Sequence, residues 1–146
     1  MQVDFKIHGI FKADPEKCYN ELPDEITPEN VLERARDEKS ELHKCFEWDD
    51  SVAAEKYRLT QARRLIQLFV VKSDDEERTY HPRIFQVTSE RNKYERATFF
   101  IRNPDEYSVL LGRAKKELHD FQTRYREIAE LETINEAISN FLTNNI

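Results

Sequence analysis

The sequence has very little glycine: Gly9 and Gly112 are the only two in 146 residues. Phosphate cradles need several close-approach glycines, and the chain carries no GxGxxG, no GKS/T loop and no GxSxG elbow. No Gly/Ser-rich linker divides the chain either, so a single domain is expected over 1–146, with a mixed part at 1–102 and a helical part at 103–146. A chain of this length should bury about 68–70% of its unfolded surface, so it needs no disulfide or metal to hold a small core. Apolar runs are short, far below the about 18–20 residues of a membrane span. The start, MQVDFKIHGI, lacks an apolar signal-peptide region, so no signal peptide and no membrane are expected.

Cysteine is scarce as well. Cys18 and Cys45 do not make a disulfide framework, and a reducing cytoplasm is the expected compartment. Cys18, His43, Cys45 and His81 have the right donor atoms for zinc, but His43-x-Cys45 is not a knuckle and no CxxC exists. Two core cysteines and two hydrogen-bonded or surface histidines are the plainer expectation, with no metal and no cofactor. A Cys45–His43 or Cys45–His81 dyad has no local support. Asp49/Asp50 and Asp74/Asp75/Glu76/Glu77 offer carboxylates for a divalent cation. Acids at a helix start are more often caps, and an acidic loop is more often a solvated face. A non-enzymatic protein is therefore expected.

Charge is plentiful, with 23 Lys+Arg against 29 Asp+Glu and a net charge of -6. It is unevenly placed. Residues 1–50 carry 7 basic and 14 acidic side chains, whereas residues 51–72 carry 5 and 1. The single basic segment is the main functional hint in the composition.

Three triplets read as helix starts: Asp14-Pro15-Glu16, Thr27-Pro28-Glu29 and Asn103-Pro104-Asp105. Proline fits the first helical position, the residue before it can cap, and the acid meets the positive end of the dipole. They predict helices near 15–21 and 28–37 and a long one from 104. A fourth helix is predicted over 51–69, capped by Asp49, Asp50 or Ser51. At 100° per residue, Ala54, Arg58, Gln61, Ala62, Leu65 and Phe69 share one face, and Lys56, Thr60, Arg63 and Gln67 share the opposite one. Strands are predicted at Val3–Ile10, with Gly9 as a bulge, and at Leu68–Lys72, Arg83–Thr88 and Ala97–Arg102. The last two would form a hairpin across SERNKYER, and 73–78 reads as a loop.

From Tyr107 through Leu111, Ala114, Leu118, Phe121 and Tyr125 to Ile128, apolar residues alternate at spacings of four and three, a heptad seam. Thr133 and Glu136 fit a capping box, so a break is predicted near 132, followed by a short helix. The seam can pack within its own chain, which three heptads favour, or pair two copies as a homodimer.

Two readings of the 51–69 helix follow. Helices followed by a strand hairpin resemble a winged helix, with Lys56, Thr60, Arg63, Arg64 and Gln67 turned toward DNA or RNA. Arg91, Lys93, Arg96 and Arg102 would add charge around the hairpin. The connector is long for a helix-turn-helix, and the acidic first fifty residues must face away from phosphates. The second reading is structural. Arg58 on an apolar face needs a carboxylate from Glu41, Glu47, Asp49 or Asp50. His43, Phe46 and Trp48 would pack over the same helix and complete a lock.

The pieces Phe46-Glu47-Trp48-Asp49-Asp50, Ala53-Ala54-Glu55, Tyr57-Arg58 and Gln61-Ala62-Arg63 form a long pattern, FEWDD-x2-AAE-x-YR-x2-QAR. Ala35-Arg36-Asp37, Ser40-Glu41-Leu42-His43, Phe11-Lys12-Ala13-Asp14 and Ile26-Thr27-Pro28 extend it. The pattern resembles a block of small phage- and prophage-encoded proteins. The resemblance covers the first half of the chain best. It implies a mobile-element origin and a bacterial host cytoplasm, and it implies no reaction. The expected fold is α+β: an N-terminal helical cluster resembling a winged helix, a small antiparallel sheet and a long C-terminal helix. The expected function is nucleic-acid binding through 51–69. The competing expectation is a protein-interaction module whose acidic surface binds a host or phage protein.

Overall fold

A computed structural model describes residues 1–52, 54–72 and 82–144. The fold is α+β, with six helices and two antiparallel sheets of two strands each among the described residues. Contacts gather into two compact units, Met1–Arg102 and Asn103–Ile146. No described helix is long and apolar enough to cross a membrane.

In the first unit, β1 (Val3–Phe5) pairs with β2 (Phe69–Val71), Val3 opposite Val71 and Phe5 opposite Phe69. The predicted first strand ran to Ile10 but stops at Phe5. The alternation fails there because Ile7 and Ile10 face solvent. Gly9 holds a φ of +87° in a turn beyond the strand, a conformation that glycine adopts without cost, and makes no bulge. The helices α1 (Pro15–Asn20) and α2 (Pro28–Ala35) start at the predicted prolines. Asp14 accepts the Glu16 and Lys17 N–H groups, and Thr27 accepts that of Asn30. A 3-10 turn at Glu41–Cys45 interrupts the connector to α3 (Glu55–Leu68).

The hairpin differs from expectation. β3 (Phe85–Val87) pairs with β4 (Tyr94–Arg96), and Ala97–Arg102 is the helix α4 rather than a strand. The cause lies in the turn. Asn92 has a φ of +65° and Lys93 N–H donates to the Glu90 carbonyl, so the chain reverses at 91–92. Asparagine tolerates that conformation at the third turn position. The residues facing β3 must then be 94–96. Single bridges, Val70 to Arg83 and Ile26 to Tyr94, tie both sheets into one unit.

The core joins Val3 and Phe5 with Val31 and Leu32 of α2, Ala62, Leu65 and Ile66 of α3, and Phe69 and Phe85 of the strands. Phe5, Phe69 and Phe85 form a chain of tilted and edge-on rings with centroids 5.3 and 6.0 Å apart. Arg96 lies over Tyr19 and Phe85 and donates to the Tyr19 hydroxyl at 2.9 Å. Half-buried Arg96 is thus engaged by aromatic side chains, and Arg102 sits on α4, outside the hairpin.

In the second unit, α5 (Pro104–Arg124) and α6 (Glu132–Asn144) contact each other. The long helix ends at Arg124, so Tyr125 and Ile128 leave the heptad seam, and a 3-10 turn at Ala129–Leu131 leads into α6. Thr133 lies inside that helix, one residue past its start, and is not its cap. Gln122 crosses the pair, donating to the Asn135 carbonyl at 2.9 Å and to the Ser139 hydroxyl. No side chain of α5 is fully buried, and Ile138 is the buried residue of α6.

Candidate nucleic-acid interface

Helix α3 buries Ala62, Leu65, Ile66 and Leu68 together with one charged residue, Arg58. The predicted face needs two corrections. Ala54 is the exposed N-cap, and Phe69 belongs to β2. The cap itself carries no side-chain hydrogen bond. The three expected caps are used elsewhere: Asp49 accepts the Ser51 N–H and hydroxyl, and Asp50 bonds Arg58.

Arg58 is 6% exposed and meets the connector at several points. Its Nε donates to the Glu47 carbonyl at 3.0 Å, its Nη2 pairs with Asp50, and its Nη1 lies 3.8 Å from Glu55. The guanidinium sits over Trp48, 5.4 Å from the ring centroid. Trp48 in turn stacks on His43 at 4.6 Å with rings 4° from parallel, and Phe46 tilts against it at 5.6 Å. Trp48 Nε1 donates to the His43 carbonyl at 2.8 Å, and His43 Nδ1 donates to the Ala35 carbonyl at 2.9 Å. A carbonyl only accepts, so that ring nitrogen carries the hydrogen. His43, Phe46, Trp48, Asp50 and Arg58 thus converge, and Asp49 does not. Of the four carboxylates offered as partner, Asp50 pairs directly, Glu47 contributes its main chain, and Glu41 pairs with Lys44 instead.

The opposite side of α3 faces outward. Lys56, Thr60, Arg64 and Gln67 are exposed and Arg63 is half-buried. Thr60 spends its hydroxyl on the Lys56 carbonyl, a local bond common inside helices. The hairpin lies along this side: Arg63 Nε comes within 3.5 Å of Asn92 Oδ1, and Gln67 Nε2 within 3.4 Å of the Tyr94 hydroxyl. Exposed Arg91 precedes Asn92 in that turn, while Lys93 is held 3.8 Å from Glu90. Lys56 and Arg64 form no ion pair with any described residue. The basic face and the hairpin turn are therefore neighbours.

Much of the acid in residues 1–50 is occupied with the main chain. Asp14, Glu16, Glu21, Asp37, Glu41 and Asp49 each accept backbone N–H bonds, such as Val3 N–H to Glu16 at 2.6 Å and Glu41 N–H to Glu21 at 2.8 Å. The Glu41 carboxyl is held below its usual range by the Asp14 N–H and then by the Lys44 ammonium.

Cys18 and Cys45 are free and buried, with Sγ atoms 3.9 Å apart. The hydrogen bond between them, then burial, pushes the Cys18 thiol far up, so it is no ready nucleophile. His43 is turned to Trp48 and Ala35, and His81 and Asp74–Glu77 lie outside the described residues. Among the described residues, no three His, Cys, Asp or Glu side chains gather as a metal site.

Sequence reasoning passed over Tyr57, which is 53% exposed, and Asn92, whose turn meets Arg63. Tyr57, Gln61 and Arg64 repeat at i, i+4 and i+7, a stripe visible in the sequence beside the face already chosen. No family model, curated protein or solved structure matches the chain.

Proposed function

We propose that this is a small, non-enzymatic nucleic-acid-binding protein of phage or prophage origin, with α3 as its contact element. One observation carries the proposal: the outward side of α3 presents Lys56, Arg63 and Arg64 next to the hairpin turn that carries Arg91. Cations in that arrangement suit phosphates, and Gln67 at the same face suits a base edge. The helix–helix–hairpin order favours a winged-helix-like approach. The Arg58 cluster serves this site indirectly, by fixing the connector against the other side of the same helix.

The test is a polarisation titration against labelled DNA and RNA at two salt concentrations. Affinity should fall steeply with salt, and Lys56→Ala and Arg64→Ala should each reduce the log–log slope by about 1. No binding at low salt overturns the proposal.

The competing reading is a protein-interaction module. The carboxylates of residues 1–50 that cap turns and helices keep their charge, so the acidic surface remains available to this reading. The second unit supports it more, because Tyr107, Ile128, Ile134 and Phe141 remain exposed there.

A further inference from the structure

The α3 stripe of Tyr57, Gln61 and Arg64 forms one wall of a cleft of about 320 Å³. Ile10, Phe11 and Lys44 contribute to the other walls. We propose that this cleft takes one unstacked base of a single strand, with its phosphate on Arg64, so that the protein prefers single-stranded to duplex nucleic acid. The inference rests on the nucleic-acid reading above and specifies its ligand.

Four features of the cleft support this. First, it is of the size that ligand pockets have, at the small end of about 300–1,000 Å³. Second, two of its apolar side chains stand clear of the core: Tyr57 is 53% and Ile10 37% exposed. An exposed phenol ring beside an aliphatic side chain is a stacking surface, and any base has a π-face to offer it. Third, Arg64 has no carboxylate partner among the described residues, so its guanidinium is available for a phosphate. Lys44, 55% exposed in its side chain, also lines the cleft, but its charge is balanced by Glu41. Fourth, the Gln61 carboxamide is half fixed. Its Oε1 accepts the Glu47 N–H at 3.3 Å, and its Nε2 has no partner among the described residues. An amide donor held beside a stacking ring can read a base edge.

Spacing matters too. Tyr57 and Arg64 stand two turns apart, about 10 Å along the axis at 1.5 Å per residue. Base and phosphate thus meet different ends of the stripe. A duplex keeps its bases stacked inside and would leave Tyr57 and Ile10 uncovered. A basic groove lined by aromatic residues is the usual recipe for single strands.

A free nucleotide has the same base-plus-phosphate chemistry, so the test has three probes: a fluorescein-labelled twelve-residue oligothymidylate, a twelve-base-pair labelled duplex, and unlabelled thymidine monophosphate as competitor. The full chain is used at low and moderate salt. The expected result is tighter binding of the single strand and a loss of about tenfold for Tyr57→Ala, the size of one lost stack. Tyr57→Phe should keep the affinity and Arg64→Ala should lower it. Binding of the duplex should be unaltered by Tyr57→Ala. Tyr57 is largely exposed, and an unchanged melting temperature shows that each variant is folded. Equal binding of strand and duplex, both insensitive to Tyr57→Ala but weakened by Arg63→Ala, overturns the inference and leaves the nucleic-acid reading standing. Competition by thymidine monophosphate as effective as by the oligonucleotide also overturns it, in favour of a free-nucleotide site. Failure of both labelled probes to bind at low salt removes the inference and the reading together.

Discussion

Replacing Arg58 by alanine should destabilise the first unit by about 3 kcal/mol. Its aliphatic stem is buried, and the two methylenes that alanine lacks, at about 0.8 kcal/mol each, contribute over half of that figure. The Glu47 carbonyl loses its Nε donor, which adds about 1 kcal/mol. The ion pair itself contributes little, because the Asp50 side chain is 84% exposed and stays hydrated without its partner. For a unit of this size the loss corresponds to a fall in melting temperature of about 12–15 °C. The assay is thermal unfolding followed by fluorescence, since the single tryptophan, Trp48, lies under the guanidinium. Two companions separate the terms. Arg58→Met keeps a long stem and should recover more than half of the loss. Asp50→Asn should cost less than about 1 kcal/mol. An Arg58→Ala protein melting within about 3 °C of the parent would refute the reasoning, because a side chain with those contacts cannot be removed so cheaply.

Three further outcomes are expected. Cys18 and Cys45 should react slowly with a disulfide reagent at about pH 8 in the folded protein and rapidly once it is unfolded; rapid release of two equivalents from the native state would contradict their burial. The Glu41 carboxyl, depressed below its ordinary 4.5, contributes stability that is complete above that value and is lost as pH falls through the lower folded value. Glu41→Gln should therefore flatten the acid limb of a stability–pH curve, and an unchanged limb would show that the Asp14 and Lys44 contacts contribute nothing. The α5 stripe is expected to stay within its own chain, so light scattering should find a monomer at high concentration; a dimer that Leu118→Asp and Phe121→Asp abolish would overturn this.

Helix starts were the most legible part of the fold. Asp14, Thr27 and Asn103 precede prolines, and the resulting boundary is decided by a few adjacent atoms. Segment 94–102 was not legible. ATFFIR is rich in residues that favour strands, yet it is helical, because the strand facing β3 is chosen by the turn at Arg91-Asn92 and not by propensity. At the candidate site, helical spacing marked out Lys56 and Arg63 and exposed Arg58 as anomalous. The sequence could not show that Asp50 rather than Glu41 would answer Arg58, since that depends on how the connector folds back. It also could not show that Ile10 and Phe11 line one cleft with Tyr57, since they are distant in the chain.

The pairing of Val3 with Val71 has a consequence for synthesis. The first strand made is among the last to find its place. Until Phe69–Val71 leaves the ribosome, Val3 and Phe5 have no ladder partner, and the apolar residues of α1 and α2 wait with them. Closing so long a loop is slow, and the waiting chain exposes its aromatic residues. The contacts of α5 and α6 are local by comparison. A chain made only as far as residue 60 would contain both capping residues, Asp14 and Thr27, but no floor beneath the short helices they start.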